Sequence, residues 1–333
     1  MPLALVTGAT GQVGSYIVER LRADGWHSRA LVREPARAEW LVERGVELFQ
    51  GDVLDAQRFA EAAAGCDAIF HAAAVVTARE GWERYRASNV GGTRNAIEAA
   101  AASGARLLHV SSVAVYGGAA RYRDQPTDES TPFAPLPDAA YYARSKRESE
   151  RLVLDAHSEG RIWAVAVRPD VIYGRRDRQF VPRVARLLER GLFPVLNGGG
   201  STLAVVHAAS VADGAVRAVA TDAAGGKAYN LANDFAVTVA EFARLAGEGL
   251  GRRVRLVPLP IWLARPALAA TRAALRATGS GAVAAQSSGT LDFLSRDNPF
   301  TSERARRELG WSPPVRPEIG VPDAFRWWKE QRN

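Results

Sequence analysis

The chain has 333 residues, of which 47% are hydrophobic, so it can bury a sizeable core in one large α/β domain with an appended part. Its one cysteine, Cys66, excludes a disulfide framework and disfavours a cysteine-based metal site, and we expect no metal. The net charge of +7 comes from arginines scattered along the chain without a recognition motif. This distribution favours an arginine-rich surface over a nucleic-acid partner.

The first residues of the chain indicate the compartment in which we expect the protein. It is apolar from residue 3 and predicts a strand there, which leaves no room for a signal peptide. No uncharged apolar stretch is long enough to span a bilayer. We therefore expect a cytoplasmic protein without a transmembrane segment.

The first predicted elements are a buried strand over Leu3–Thr7 and a helix over 15–22, separated by a glycine-rich turn. Gly8 allows the tight turn, Gly11 lets the backbone approach a pyrophosphate, and Gly14 lets the helix pack closely on the strand. The free N–H groups and positive dipole end of the helix face the phosphates. The flanking strand and helix disfavour the alternative of a plain glycine-rich turn. The cofactor contacts predicted in this segment are Thr7, Gly8, Gly11, Gln12, Val13 and Gly14.

The second predicted strand, near 28–33, ends in Arg33 and not in an acidic residue. An acidic side chain there would bind the ribose 2′-hydroxyl of NAD, whereas an arginine suits the 2′-phosphate of NADP. Arg37 lies close behind and could join it. A solvated arginine is the alternative, because the chain contains 43 Lys+Arg. The sequence therefore favours NADP(H) and leaves NAD(H) open.

Further strand-like runs lie near 46–50, 67–72, 106–111 and 161–168, and helical stretches fill the gaps between them. This alternation predicts a Rossmann-type α/β fold, a doubly wound parallel sheet with helices on both faces. Open sheets of this kind bind ligands beyond the carboxyl ends of their strands. The residues expected there against the cofactor are Asp52, Val53, Ala72, Ala73, Ala74 and Pro169.

The regular alternation ends near residue 174, and the C-terminal part mixes short helices with prolines and loops. Residues 205–231 look like a return to the sheet. We therefore predict an NADP-binding Rossmann domain over 1–174, completed by 205–231. A smaller, discontinuous substrate-binding lobe is predicted over 175–204 and 232–333.

The segment 260–277 is strongly apolar with interspersed arginines. It predicts a lid over an apolar substrate, an interfacial helix in peripheral contact with a membrane, or a surface helix with a core-facing stripe. The sequence does not decide among these three.

Tyr142 and Lys146 stand four residues apart in a helix-like segment and so lie on one face of it. A lysine ammonium in that place favours the phenolate form of the tyrosine and lowers its pKa from about 10. Such a tyrosine can exchange a proton with a carbonyl or alcohol oxygen. The spacing alone is common by chance, and its weight comes from the motifs upstream.

Several motifs follow one another in a characteristic order. They are Thr7-Gly8-x-x-Gly11-x-x-Gly14, Asn89 in Ser-Asn-Val-Gly-Gly-Thr, Ser111-Ser112-Val-Ala-Val-Tyr-Gly, Tyr142-x-x-x-Lys146 and Arg168-Pro169-x-x-x-Tyr173-Gly174. Across essentially the whole chain this order resembles the extended short-chain dehydrogenase/reductase family. The second strand and the apolar C-terminal segment are most similar to members of the 3β-hydroxysteroid dehydrogenase and dihydroflavonol reductase types.

The resemblance implies a role for each matching residue. Ser112 would hydrogen-bond the substrate oxygen, and Tyr142 would be the general acid in reduction and the base in oxidation. Lys146 would bind the nicotinamide ribose and lower the pKa of Tyr142. Asn89 would lie in the helix that carries the family's proton-relay water.

Three departures separate the chain from sugar-nucleotide members of the family. Val113 and Ala114 follow Ser112 where dehydratases carry an acidic pair. Leu203 and Ala204 stand where an arginine usually clamps the diphosphate. The asparagine that often contacts the nucleotide after the sixth strand is also missing. Arginines in nearby loops could still replace the clamp.

We therefore expect an NADP-dependent ketoreductase or alcohol dehydrogenase that transfers hydride between nicotinamide and an apolar or lipid-like carbonyl compound or secondary alcohol. An NAD-dependent nucleotide-sugar epimerase is the alternative within the family. A non-catalytic NADP(H)-sensing protein is the alternative of another class, which the Ser-Tyr-Lys set disfavours. The sequence names neither the substrate nor the direction in the cell.

The expected pocket is lined by loops whose residues fit many small molecules. The substrate contacts predicted are Thr77, Trp82, Val113, Tyr141, Tyr173 and Trp262. Family members also pair two helices per subunit in a dimer. The resemblance thus implies a homodimer through the stretches near 89–102 and 142–157.

Overall fold

The computed structural model describes residues 1–76, 81–117, 126–189, 191–232, 235–260 and 290–332, together with positions 262, 264, 266, 269, 270, 273, 274 and 277. Within them, the strands in chain order are β1 (Leu3–Thr7), β2 (His27–Val32), β3 (Val46–Gln50), β4 (Ala68–His71), β5 (Arg106–Val110), β6 (Ala164–Pro169), β7 (Val171–Tyr173), β8 (Leu192–Leu196), β9 (Val205–His207), β10 (Ala228–Leu231) and β11 (Arg255–Leu259). The α-helices of the same residues are α1 (Gln12–Ala23), α2 (Glu39–Val42), α3 (Ala56–Ala63), α4 (Trp82–Tyr85), α5 (Gly92–Ser103), α6 (Tyr141–Ser158), α7 (Phe180–Leu188), α8 (Ala208–Ala220), α9 (Val239–Leu250), α10 (Thr290–Ser295), α11 (Glu303–Leu309) and α12 (Pro317–Glu330).

Seven parallel strands form the central sheet, in the order β10-β6-β5-β4-β1-β2-β3. The predicted Rossmann-type α/β fold is therefore confirmed. The strands predicted near 28–33, 46–50, 67–72 and 106–111 end within one residue of the observed β2 to β5. A parallel sheet is covered on both faces, so its strands are largely apolar, and every residue of β4 and β6 is buried, including the polar His71 and Arg168.

Alternating side chains of the strands build two cores, one on each face of the sheet. On one face Val6 and Phe70 pack against α1 and α8. On the other face Leu5 and Ile69 pack against α3, α5 and α6, where Val153 anchors the C-terminal half of α6. The N-terminal half of α6 is thereby placed over the carboxyl ends of the strands.

Beyond β6 the chain builds a further apolar cluster around α7, α9 and α12. Phe242 of α9 and Phe325 of α12 meet in this cluster, with ring centroids 6.0 Å apart. β8 and β11 pair beside it as a separate two-stranded parallel sheet. The division of the chain into a cofactor domain and a substrate-binding lobe stays a prediction.

The return of residues 205–231 to the main sheet differs from the prediction in its first strand. β10 pairs with β6, with Leu231 opposite Pro169. β9 pairs instead with β7, with Val205 opposite Val171. Because β7 begins directly beyond the end of β6, the β7–β9 pair lies past the carboxyl edge of the main sheet and not within it.

The apolar segment 260–277 falls mostly outside the described residues. Trp262 is 69% exposed, and Ala264 is buried. The three interpretations of this segment stay open. In the part of the chain that the structure describes, no helix is long and apolar enough to cross a membrane.

The close contact of α9 with α12 predicts where the second lobe tolerates no added volume. A Cβ at Gly249 would lie 2.9 Å from Cα of Pro322 and nearer still to its carbonyl oxygen. We expect Gly249→Ala to lower the free energy of unfolding by about 1–3 kcal/mol, the usual cost of overpacking, as measured by urea unfolding. Gly200→Ala is the matched control, because a Cβ there meets no described atom within 4 Å. Equal unfolding midpoints for the two variants would contradict the close contact.

Candidate active site

The glycine turn between β1 and α1 is closely packed on the end of β4. Gly8 has a φ of +69°, and a Cβ there would lie 2.9 Å from the backbone nitrogen of Ala73. A Cβ at Gly14 would overlap the carbonyl oxygen of Gly8, and the N–H of Gly11 donates to that oxygen over 2.8 Å. Glycine is required here because the backbones of β1, β4 and α1 converge on this point.

The N-terminus of α1 fits the diphosphate of a dinucleotide. Its N-cap, Gly11, has no side chain that could accept from the free N–H groups, and its first turn holds no acidic residue. The side-chain nitrogen of Gln12 is buried without a partner among the described residues. Phosphate oxygens would satisfy such donors. The structure thus brings the predicted contacts from Thr7 to Gly14 together at one edge of the sheet.

Hydrogen bonds join the ends of β1 and β4 beside this turn. The hydroxyl oxygen of Thr7 lies 2.9 Å from Nδ1 of His71 and accepts from the backbone N–H of Ala73 over 3.3 Å. Residues 72–74 are thereby held against the glycine turn. Their small side chains leave room for the close approach of a cofactor that the sequence predicts.

Arg33 and Asp52 follow neighbouring strands at the same edge of the sheet. Arg33 comes directly after β2 and is exposed. The carboxylate of Asp52 accepts from a backbone N–H in the turn that follows β3. Arg37 forms an exposed ion pair with Glu34 at 2.9 Å. Arg33 is therefore exposed directly after β2, whereas Arg37 is engaged by a neighbouring carboxylate.

Val53 and Pro169, also predicted at the cofactor, are fixed at this edge by backbone contacts. The carbonyl oxygen of Val53 accepts from the side-chain nitrogen of Asn95 on α5 over 2.8 Å. Pro169 is the buried last residue of β6. The contacts of Val53 and Pro169 with the cofactor stay predictions.

Tyr142 and Lys146 lie one turn apart on α6, as their spacing predicts. Lys146 is 3% exposed, and its ammonium donates to the carbonyl oxygen of Val110 over 2.6 Å. Val110 ends β5, and Ser112 follows two residues later. The helix and this strand end therefore bring Ser112, Tyr142 and Lys146, three of the four predicted catalytic residues, to the same edge of the sheet.

Ser112 begins a 3-10 helix over Val113–Tyr116 and caps it, because its hydroxyl oxygen accepts from the N–H of Ala114 over 3.1 Å. Within the described residues its proton has no acceptor, so the hydroxyl can donate to a substrate oxygen. Val113 is 5% exposed and belongs to a small apolar cluster with Phe300. The cap fixes the place of the Ser112 oxygen relative to β5.

Asn89 lies in a π-helical turn, Arg86–Gly91, between α4 and α5. Its side-chain oxygen accepts from the N–H of Val75 over 2.7 Å, and its side-chain nitrogen donates to the hydroxyl of Ser145 over 2.9 Å. Turns of this kind are rare and frequent at functional sites. Asn89 thereby ties the loop after β4 to α6, one residue from Lys146.

Lys146 is buried among two histidines and the carboxylate of Glu150. Burial lowers its pKa to about 8, and the charge of Glu150, one turn further along α6, partly raises it. His71 of β4 and His109 of β5 lie below it, with ring centroids 5.8 Å apart. Burial and the charge of Lys146 lower the pKa of His71 to about 3 and that of His109 well below its ordinary value. Both imidazoles are therefore neutral near pH 7, and Lys146 carries the positive charge.

Two of the expected substrate contacts lie together near the start of α6. The rings of Trp82 and Tyr141 have centroids 6.2 Å apart. The guanidinium of Arg144 lies 3.9 Å from the centroid of the Trp82 ring. These side chains stand beside Tyr142, where the sequence predicts the pocket.

The expected substrate contact of Tyr173 needs correction. Tyr173 is 1% exposed, and its ring packs between His207 and Phe242, with centroids 5.3 and 5.6 Å away. Pairing of β7 with β9 turns this side chain into the apolar cluster of the second lobe, so it is a core residue. Trp262 is a surface residue, and Thr77 lies outside the described residues.

Two buried polar residues near Lys146 were not predicted from the sequence. They are His109 and Glu150, and Arg168 was assigned no role. Arg168 and Glu150 form a buried ion pair. The spacing of four residues between Lys146 and Glu150 could have shown that both share one face of α6. His109 could have been noticed as a polar residue inside a buried apolar run. The pairing with Arg168 had no signal, because it joins α6 to a strand.

The chain is similar to known proteins over its whole length. A sequence model of the NAD-dependent epimerase/dehydratase family matches residues 4–232. A 4-hydroxy-2-methyl-3-oxo-4-farnesyl-3,4-dihydroquinoline-1-oxide ketoreductase of Stigmatella aurantiaca is 32% identical over 322 residues, 96% of this chain and 95% of that protein. A 2-alkyl-3-oxoalkanoate reductase of Shewanella oneidensis is 30% identical, over 96% of this chain and 84% of that protein. Among solved structures, the crystal structure of gox2253 is 27% identical, with a TM-score of 0.77 and 99% of each chain covered.

The buried ammonium of Lys146 predicts a rise of stability with pH. Its pKa is about 8 in the folded chain against an ordinary value of 10.5, so between these values the unfolded state binds more protons. Stability therefore rises across this interval, by about 3 kcal/mol from this residue. Lys146→Met removes the titrating ammonium. In urea unfolding of the cofactor-free proteins, the free energy of unfolding of wild type should therefore rise by that amount relative to the variant as the pH rises. A constant difference between the two proteins would contradict the buried charge.

Proposed function

The chain belongs to the NAD-dependent epimerase/dehydratase family and is an NAD(P)-dependent oxidoreductase, and within this family we propose that it is an NADP-dependent ketoreductase. Its proposed substrate is an apolar or lipid-like carbonyl compound or the corresponding secondary alcohol. The observation that carries the proposal is the pairing of Tyr142 with the buried Lys146 on α6, beside the strand end that leads to Ser112. A proton donor and a buried cation then stand at the sheet edge where the glycine turn fits a dinucleotide.

The proposed mechanism assigns a step to each polar side chain of the site. NADPH, when bound, supplies the hydride. The phenol of Tyr142 donates its proton to the substrate oxygen in reduction and takes a proton back in oxidation. The hydroxyl of Ser112 donates a hydrogen bond to the same oxygen as charge builds on it. The ammonium of Lys146 favours the phenolate of Tyr142, and Asn89 keeps α6 in place.

The preference for NADP rests on the end of β2. Arg33 is exposed there, beside the strand that leads into the glycine turn. A guanidinium in this place suits a 2′-phosphate. Glu34, the acidic residue that follows, is ion-paired with Arg37. This arrangement supports NADP(H) over NAD(H).

The apolar substrate is supported by the residues that replace the diphosphate clamp and by two relatives. Leu203 and Ala204, which replace the diphosphate clamp of sugar-nucleotide enzymes, are 3% and 6% exposed. The similar reductases of Stigmatella and Shewanella are named for 3-oxo compounds with a farnesyl or an alkyl group. A ketone with an apolar chain agrees with both observations.

The two alternative functions are weaker. Arg175 binds Asp323 of α12 through hydrogen bonds of 2.8 and 2.6 Å, and Arg176 donates to the hydroxyl of Ser15. Arg175 and Arg176 are engaged within the protein, so they are poor replacements for the clamp of a nucleotide-sugar epimerase. Arg178 is exposed and keeps that alternative open. A non-catalytic NADP(H) sensor would gain nothing from burying the charge of Lys146, which is costly.

The quaternary structure is proposed from the family resemblance alone. Two subunits would pair through α5 and α6, which correspond to the helices predicted near 89–102 and 142–157. The alternation of strands and helices along the chain supports a cofactor domain over 1–174 with 205–231. The remaining lobe would then bind the substrate.

Tyr142→Phe tests the proton-transfer role. We expect the turnover of NADPH with long-chain ketones or 3-oxoalkanoate esters to fall about 10²–10⁴-fold, because the phenol proton is missing. NADPH binding, followed by fluorescence, should stay as in wild type. Tyr173→Phe, which removes a hydroxyl from the core of the second lobe, is the control and should keep the wild-type rate. Wild-type turnover by Tyr142→Phe would end the proposal, and conversion of UDP-sugars without net cofactor turnover would favour the epimerase.

Arg33→Ala tests the cofactor choice. We expect the KM for NADPH to rise about 10- to 100-fold, because a hydrogen bond to a charged group contributes about 1.5–3 kcal/mol. The KM for NADH should not change. Arg37→Ala is the matched control and should have a smaller effect, since Arg37 is paired with Glu34. An Arg33→Ala enzyme that keeps its affinity for NADPH, or a wild-type enzyme that uses only NADH, would overturn the NADP assignment.

A further inference from the structure

A buried ion pair lies directly behind the proposed catalytic residues. Arg168 of β6 donates to both oxygens of Glu150 on α6, through Nε over 3.0 Å to Oε2 and through Nη2 over 2.6 Å to Oε1. The two side chains are 6% and 3% exposed. Glu150 stands one turn after Lys146 on the same helix face. The pair therefore connects the helix that carries Tyr142 and Lys146 to the sheet.

The same arginine also reaches the segment that carries Ser112. Its Nη1 donates to the hydroxyl of Tyr116 over 2.8 Å, and that hydroxyl donates to the side-chain oxygen of Asn230 on β10 over 2.8 Å. Tyr116 ends the 3-10 helix that Ser112 caps. One guanidinium thus holds both elements from which the proposed catalytic side chains come, through a bidentate bond on one side and a single bond on the other.

The charge of Glu150 matters to Lys146 because the surroundings are buried. Among the described residues, Lys146 interacts with Glu150 on its own helix, His71 on β4 and His109 on β5, and Tyr142 lies one turn before it on α6. The two histidines are neutral near pH 7, as described above. Glu150 is then the anion nearest to Lys146 among these groups, and Arg168 on β6 is the partner that balances it.

We propose that Arg168 is a positioning residue for the Tyr142–Lys146 pair: it fixes α6 against the Ser112 segment and balances part of the charge that Glu150 presents to Lys146. The proposal rests on the function proposed above. Removing Arg168 leaves a buried carboxylate that faces the charges of Lys146 and Arg147 on its own helix. That carboxylate opposes loss of a proton from the coupled Tyr142–Lys146 pair. Removing Glu150 leaves a buried guanidinium, which has the opposite effect.

The test is the pH dependence of kcat for ketone reduction with NADPH in three variants. Arg168→Met should move the alkaline fall in kcat to higher pH by about 1 unit, and Glu150→Gln should move it to lower pH by about 1 unit. The double variant Glu150→Gln/Arg168→Met removes both charges and should return the fall to the wild-type pH, whatever its rate. A purely structural role predicts lower rates or stability without opposite shifts.

Three further variants control the comparison. Arg168→Lys keeps the charge and loses the bidentate geometry, so kcat should fall while its pH profile stays in place. Arg161→Met breaks an exposed ion pair with Glu98 and should change neither kcat nor the profile. Circular dichroism verifies that each variant is folded. If Arg168→Met does not fold, the test uses the other two variants. The alkaline fall in kcat should then move to lower pH in Glu150→Gln and stay at the wild-type pH in the double variant.

The outcomes separate this inference from the proposed function. If the alkaline fall in kcat moves in the same direction in Arg168→Met and Glu150→Gln, or does not move in the folded single variants, the proposed role of Arg168 is wrong. The proposed function fails independently if Tyr142→Phe turns over at the wild-type rate. If Tyr142→Phe is inactive while the Arg168 and Glu150 profiles do not move, the function stands and the positioning role is wrong.

Discussion

Burial of the Lys146 ammonium against the carboxyl end of β5 is the interaction on which the site depends. An ammonium taken out of water costs stability unless the protein supplies polar partners. Here the carbonyl oxygen of Val110 accepts one hydrogen bond, and Glu150 supplies a negative charge one turn away. Val153 on the apolar side of α6 packs into the core on the same face of the sheet and holds the helix there. The fold therefore holds the lysine where it would not stay by itself.

Features that lie within one element were predicted from the sequence. Parallel strands buried on both faces read as short apolar runs, so β1 to β5 and their order in the chain were found. The glycine turn was recognised because its strand, glycines and helix are consecutive. The spacing of Tyr142 and Lys146 places both on one turn of a helix in any fold. The fold class and the family predicted from these motifs are confirmed.

Features that depend on which elements become neighbours could not be predicted. Tyr173 belongs to a motif at the end of a strand, but the pairing of β7 with β9 sets the orientation of its side chain. Each of these strands has only three residues, so their pairing cannot be predicted from the sequence. The ion pair of Arg168 with Glu150 could be predicted only if β6 were known to lie beside α6. The roles of Ser112, Tyr142 and Lys146 stay proposals, because geometry places these residues and only a rate can test them.

The position of β10 has a consequence for how the chain is made. Until residues 228–231 have been synthesised, β6 is the open edge of the sheet. Its residues are all buried in the finished protein, so a shortened chain exposes an apolar strand with unpaired backbone groups. Such an edge can pair with another chain and start aggregation. A chain that ends before β10 therefore carries an aggregation-prone edge that the full chain covers.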